Sequence, residues 1–328
     1  MYPFIFKPIL KEMIWGGTDL RPFKGLAPGG EPVGESWELS HVEGNFSVVA
    51  NGPLAGRTID DLMAAQGARL TGEKVMKRFG RTFPLLIKFI DARDNLSVQV
   101  HPDDRLARKR HHSFGKTEMW YVVKAAPGAA LYSGFHRPVT AAEYVRRVEE
   151  GTLMEALQRY EVRAGDVFFL PAGRVHAIGA GCFIAEIQQT SNITYRIYDY
   201  GRKDADGNSR ELHTALAKDA IDYSFHADYR TGYTPRPDEA VRLVACDYFT
   251  VNLLDLSRPL TRDLAALDSF VAYVCTAGRL ILSDEQRNEL TVHRGQTVLI
   301  PATARSVTLA PAPAATLLET FIFINKLA

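Results

Sequence analysis

The 328-residue chain sets 39 Lys and Arg against 38 Asp and Glu, a formal charge of +1, with 46% hydrophobic and 23% charged residues. That balance excludes wholesale disorder and the basic footprint of a nucleic-acid binder, and no apolar run reaches the ~18 residues of a membrane span. Lys7, Lys11 and Glu12 interrupt what would be the apolar stretch of a signal peptide, and Cys182, Cys246 and Cys275 lack CxxC spacing, so neither a disulfide framework nor a thiolate metal site is indicated. The expectation is a cytoplasmic protein of two domains, at roughly 150 residues per domain.

Strand signals dominate the chain. Val48–Ala50, Pro84–Ile90, Leu96–His101, Met119–Val123, Val167–Leu170, Phe183–Ile187, Val241–Val244, Phe249–Leu254, Phe270–Cys275, Thr297–Ile300 and Leu317–Ile322 are short, β-branched or aromatic, and bounded by turn residues. This spacing predicts sandwiches or barrels rather than alternating strand–helix units. Helical patterning is confined to Thr58–Phe79, opened by Thr58 as cap, to a segment from Thr140 to about Gln158 opened by a Thr140–Glu143 capping box, and to weaker stretches at Asp103–His112 and Arg210–Ala220. Thr231–Asp238 reads as a linker, and Gly16–Gly17 and Gly29–Gly30 as turns outside any nucleotide-binding pattern.

The chain also echoes itself. Gly165–Ala172 resembles Gly295–Ala302, each a glycine, a strand and then Pro-Ala, and Trp120–Ala125 resembles Ala272–Ala277, with Tyr121 against Tyr273. Two related β units, the first with a helical insertion, account for both matches. In this alignment Ser306 stands opposite His176 and Phe270 opposite Glu118, so one copy carries metal-capable groups and the other does not.

Alternation along a strand groups the polar side chains. Ser97, Gln99 and His101 share one face, as do Lys116, Glu118 and Trp120, and as do Arg174 and His176. Two histidines and a carboxylate suit a divalent metal with open positions, catalytic Zn²⁺ or non-haem Fe²⁺. On residues alone, His101 and His176 read equally well as hydrogen-bonded core histidines. His111 and His112 read as a solvated basic turn, and His136, His213, His226 and His293 show no partner pattern. Glu186 lies in an apolar strand, where an unpaired carboxylate is costly. It either pairs with Lys116 or Arg196, the commoner use of such an acid, or carries a shifted pKa suited to proton transfer.

Trp15–Gly17, Gly34–Glu38, Gln99–Asp103, Gly115–Trp120, Pro171–Ala177 and Thr194–Asp199 together resemble the bacterial mannose-6-phosphate isomerases of the cupin superfamily, motifs in order from about residue 3 to the C-terminus. The resemblance implies a mainly β fold of two cupin-type jelly-roll barrels. Residues 1–232 would form a catalytic domain with N-terminal strands and helical insertions, and 233–328 a second, metal-free domain. It implies a zinc-dependent aldose–ketose isomerase that interconverts mannose 6-phosphate and fructose 6-phosphate through an enediol(ate), with one Zn²⁺ per chain. His101, Glu118 and His176 match the zinc ligands, and Gln99 either a fourth ligand or a group just behind them. Arg196 matches the catalytic arginine, and Lys116 and Glu186 match polar pocket positions. Glu186, or a metal-bound hydroxide, is the candidate base. Asn192 departs from the family pattern, where Asp is common, and His41 matches a family histidine. The implied partner is a small phosphosugar, with no nucleic acid or membrane, and no oligomeric state follows. A non-haem Fe(II) cupin oxygenase and a non-catalytic phosphosugar-binding cupin are the rival readings. The first is disfavoured because His101 and Glu118 stand on separate strands, the second because Lys116, Glu186 and Arg196 are all intact.

Overall fold

The computed structural model describes residues 1–27, 29–203 and 207–324. Most of the strands expected from sequence are present, several lengthened by their neighbours, and every strand pairing is antiparallel. Among the described residues the strands form open sheets, with no closed barrel. A six-stranded sheet runs in the order Val167–Leu170, Glu118–Ala125, Cys182–Gln189, Leu85–Ala92, Ile9–Gly17, Val33–Leu39. A five-stranded sheet runs Leu157–Glu161, Ala130–Phe135, His176–Ile178, Val98–Val100, Tyr195–Tyr198. Trp120, Leu131, Phe168, Ile178 and Ile184 fill the space between these two sheets.

The C-terminal strands make a nine-stranded sheet built around the long pair Val271–Asp284 and Ser306–Phe321, to which the N-terminal strand Phe4–Lys7 adds itself beside Thr297–Ile300. Its own interior holds Leu254, Tyr273, Cys275, Val298 and Leu317. Between the two parts lies a third apolar layer, in which Phe4, Leu62, Phe83, Phe89, Ile187, Phe270 and Leu318 pack together. Burial of that layer, at about 25 cal/mol per Å² of apolar surface, makes the two parts one structural unit.

Several expectations are corrected. The segment from Thr58 to Phe79 is three short helices, Ile59–Gln66, Ala68–Thr71 and Glu73–Phe79, because Gly67 and Gly72 adopt φ of 46° and 97°, which an α-helix cannot continue through. Its Thr58 cap stands, closed into a capping box by Asp61. The helix from Thr140 ends at Glu149, and Leu157 belongs to a strand. There the cap is one-sided: Thr140 Oγ1 accepts the Glu143 N–H, but the Glu143 carboxylate turns to Arg137 and Arg147. Gly16 and Gly17 end a strand rather than form a turn.

The internal echo is real, but its alignment slips by one residue. The Gly165 N–H donates to the Val122 carbonyl and the Gly295 N–H to the Cys275 carbonyl, so Trp120, not Tyr121, corresponds to Tyr273. Register agrees throughout. Lys88, Glu186 and Trp120 pair side by side, as do Asn252, Glu319 and Tyr273. Glu118 faces Leu170 as Val271 faces Ile300, and Gln99 faces His176 as Arg262 faces Val307. The position matching Glu118 is therefore Val271. A slip of one residue exchanges the two faces of a strand, so hydrogen-bond register decides where letter similarity misleads.

Candidate active site

The strand ending at Val100 delivers Gln99 and His101, the adjoining His176–Ile178 strand delivers His176, and the facing sheet delivers Glu118 from the first position of its strand. His101 Nδ1 donates to the Ile193 carbonyl and His176 Nδ1 to the Arg174 carbonyl, both at 2.9 Å. Those bonds fix each ring's tautomer and aim its Nε2 lone pair inward. The His101 Nε2 lies 3.5 Å from Glu118 Oε2 and the His176 Nε2 3.2 Å from Oε1. One ligand atom from each residue thus falls within 4.8 Å of the other two. All three side chains are buried.

The electrostatics match a cation site. Burial first, and then the Lys116 cation, hold His101 well below the ordinary imidazole range and His176 down to about 3, so both are neutral. Burial pushes Glu118 upward. Both Glu118 oxygens are shut off from water, and beyond the Lys116 ammonium, 3.0 Å from Oε2, neither finds a donor among the described residues. Two neutral imidazoles and a buried carboxylate with unused lone pairs form a donor set for a divalent transition metal. Gln99 Nε2 donates to His176 Nε2 at 3.3 Å, and Lys116 Nζ to His101 Nε2 at 3.0 Å, so both border the cluster.

Glu186 finds a partner that sequence reasoning missed. Neither Lys116 nor Arg196 pairs with it; Lys88, directly opposite on the next strand, places Nζ 3.2 Å from Glu186 Oε1. Trp120 Nε1 donates to the other oxygen at 2.8 Å. Burial alone would raise Glu186, but Lys88 and Lys116 outweigh it and keep the carboxylate ionised. Burial would likewise lower Lys88, and Glu35, Glu186 and Glu118 outweigh that, so the ammonium is held charged. The signal was available: Lys88 stands in the apolar run Leu85–Ala92 just as Glu186 stands in its own.

A cavity of about 320 Å³ opens over Gln99, Lys116, Glu186 and Arg196, and is further lined by Glu35, Lys88, Asn192, Arg210 and His213. That volume lies at the small end of small-molecule sites. Larger hollows of about 690 and 580 Å³ lie elsewhere and hold no such cluster. Arg196 donates through Nη1 to the Glu211 carbonyl at 3.1 Å, while its Nε is buried without a partner among the described residues. His213, which carried no sequence signal, accepts the Arg196 backbone N–H at 3.3 Å. Arg174 lies over the Tyr229 ring instead of joining the cluster. His41 accepts the Phe83 N–H and faces Asp60, outside the cavity.

A mainly β fold carrying a buried His–Glu–His cluster, joined through Gln99 and Lys116 to a polar, cation-rich cavity, defines a cupin-type enzyme acting on a small polar substrate. Residues 4–121 match the family model for the catalytic domain of type I phosphomannose isomerases, and residues 239–312 that of the mannose-6-phosphate isomerase cupin domain. Mannose-6-phosphate isomerase ManA of Bacillus subtilis is 39% identical over 258 residues, 78% of this chain and 80% of that protein. The mannose-6-phosphate isomerase of Streptococcus mutans is 34% identical over 305 residues, 93% of this chain and 94% of that one. The crystal structure of the Bacillus subtilis mannose 6-phosphate isomerase superposes with a TM-score of 0.86 at 30% identity, covering 98% of this chain and 99% of that one. The chain belongs to the mannose-6-phosphate isomerase family and is an aldose–ketose isomerase. No helix among the described residues is long and apolar enough to cross a membrane.

Proposed function

We propose that the enzyme interconverts mannose 6-phosphate and fructose 6-phosphate through an enediol(ate), with one Zn²⁺ per chain held by His101, Glu118 and His176. The observation that carries this reading is the convergence of two tautomer-fixed Nε2 atoms on a buried carboxylate that, beyond the Lys116 ammonium, finds no donor among the described residues. Zinc bound there would supply a Lewis acid for the sugar's oxygens. Gln99 either adds a fourth ligand or steadies His176.

The remaining roles fall to the chain's own groups. Glu186, kept ionised by Lys88 and Lys116, is the base that takes the carbon-bound proton and returns it to the neighbouring carbon. Trp120 and Lys88 hold its carboxylate in place. Lys116 meets substrate oxygens beside the metal. Arg196, permanently charged, steadies the anionic intermediate and, with Arg210 on the same wall, the phosphate. The reading takes residues 1–232 as the catalytic cupin-type unit and 233–328 as a metal-free companion, whose last four residues lie outside the described ones. A phosphosugar substrate makes the cytoplasm the expected setting.

The deciding experiment is elemental analysis of the purified enzyme coupled to a mannose-6-phosphate assay. Chelation should abolish turnover and Zn²⁺ restore it; full activity in the metal-stripped enzyme ends the metal reading.

A further inference from the structure

The segment just before the Glu118 strand has no ladder of its own. Residues 114–117 carry no regular structure, yet Gly115, Lys116 and Thr117 are buried and Lys116 points into the cluster. Buried amides need partners; the Lys116 N–H donates to the Pro102 carbonyl at 3.1 Å, and side chains supply the partners of its two neighbours. Asp104 Oδ1 accepts the Gly115 N–H at 2.8 Å. The same oxygen accepts Gln189 Nε2 at 3.0 Å, and Gln189 Oε1 accepts the Thr117 N–H at 2.8 Å. The amides on either side of Lys116 are thus tied to one two-residue network. The approach is close enough to require glycine, since a Cβ on Gly115 would stand 2.6 Å from the Asp104 nitrogen.

The network ends in the other half of the molecule. The other oxygen of Asp104 accepts the hydroxyl of Tyr248 at 3.0 Å. Tyr248 lies in the turn between the strands Ala240–Ala245 and Thr250–Leu256, with the Arg78 guanidinium over its ring. The His101 ring, by contrast, is held by the Ile193 carbonyl, and its backbone meets the Lys116 segment only at the neighbouring Pro102 carbonyl. Movement of Asp104 would therefore shift Lys116 and Glu118 relative to His101, and would change the spacing on which a shared ion depends.

We propose that Tyr248 of the C-terminal part is a positioning residue for the site, acting through Asp104 and Gln189 on the Gly115–Glu118 segment. The inference rests on the reading of Glu118 and Lys116 given above, and it assigns the companion half a part in the reaction beyond support.

Tyr248→Phe removes only the hydroxyl. The variant should bind Zn²⁺ roughly fivefold more weakly in competition with a chromophoric chelator, and kcat should fall by a similar factor with KM nearly unchanged. Amide hydrogen exchange in the 113–118 peptide should quicken while the unfolding midpoint stays put. Asp104→Asn should show a larger loss of the same kind, and adding Tyr248→Phe to it should cost little more, because the two residues share one path. Wild-type zinc affinity and kcat in Tyr248→Phe, or additive effects of the two substitutions, would overturn the proposal. A lower unfolding midpoint with intact activity would do so too. A wild-type enzyme with no metal-dependent isomerase activity would refute the functional reading instead, and the zinc-affinity and exchange measurements would still decide the role of Tyr248.

Discussion

The two β regions carry the same buried carboxylate at the same strand register, and surround it differently. In the C-terminal region Glu319 is closed on itself. Its Oε1 accepts Arg262 Nε at 2.8 Å and the Tyr273 hydroxyl at 3.0 Å, and its Oε2 accepts Asn252 Nδ2 at 2.7 Å and Arg262 Nη2 at 3.0 Å. In the N-terminal region its counterpart Glu186 has Trp120 on one oxygen and the Lys88 ammonium beside the other, while the nearby Glu118 faces the lone pairs of His101 and His176 and, beyond the Lys116 ammonium, finds no donor among the described residues. Where the first region has the His101–Glu118–His176 cluster, the second has an apolar interior that includes Leu264, Val271 and Val307. A buried charge whose lone pairs are all used serves architecture. One whose lone pairs are left over is poised for something the chain does not itself supply.

The contrast can be broken by substitution, the largest effect coming from the ligands. His101→Ala or His176→Ala should lose bound metal together with activity, by about a thousandfold or more, with the circular-dichroism spectrum unchanged. Retained metal at full stoichiometry would dissolve the distinction between the two regions. Arg196→Ala should keep the metal but lower kcat about a hundredfold; a change confined to KM would limit Arg196 to substrate binding.

Glu319→Gln tests the other half. It leaves Arg262 without its counter-charge and should cost about 2 kcal/mol, a fall of roughly 3 °C in unfolding midpoint. Activity per folded molecule should be unchanged, and a marked kcat loss would show that the companion cluster is more than architecture.

The smallest effect is one of pH, in the metal-free enzyme. His101 and His176 stay neutral when folded but take up protons below their ordinary value of 6.5 when unfolded. Their contribution is present above that value and is lost as pH falls through it. Glu118, raised by burial, binds its proton in the folded state and works the other way. Stability should therefore decline modestly between about pH 6.5 and 4.5. A flat profile in chelator-treated protein would contradict the buried neutral pair.

Much of the site was legible from the chain. Alternation alone put Gln99 with His101 and Lys116 with Glu118, and the ordered motifs tied them to His176. The partner of Glu186 was not legible, because the choice among Lys88, Lys116 and Arg196 depends on which strand lies beside which. Nor were the helix breaks at Gly67 and Gly72, since apolar spacing continues through them while the backbone does not.

The sequence by itself determined the strand-rich class, the identities of the metal-capable residues and the family. Those follow from local alternation and from motifs that are read along one dimension. Only the tertiary structure decided the register of the repeat, the Lys88–Glu186 pair and the path from Tyr248 to Gly115. Each of these joins residues far apart in the chain, and each was selected by the need of buried backbone amides and charges to find partners once water was excluded.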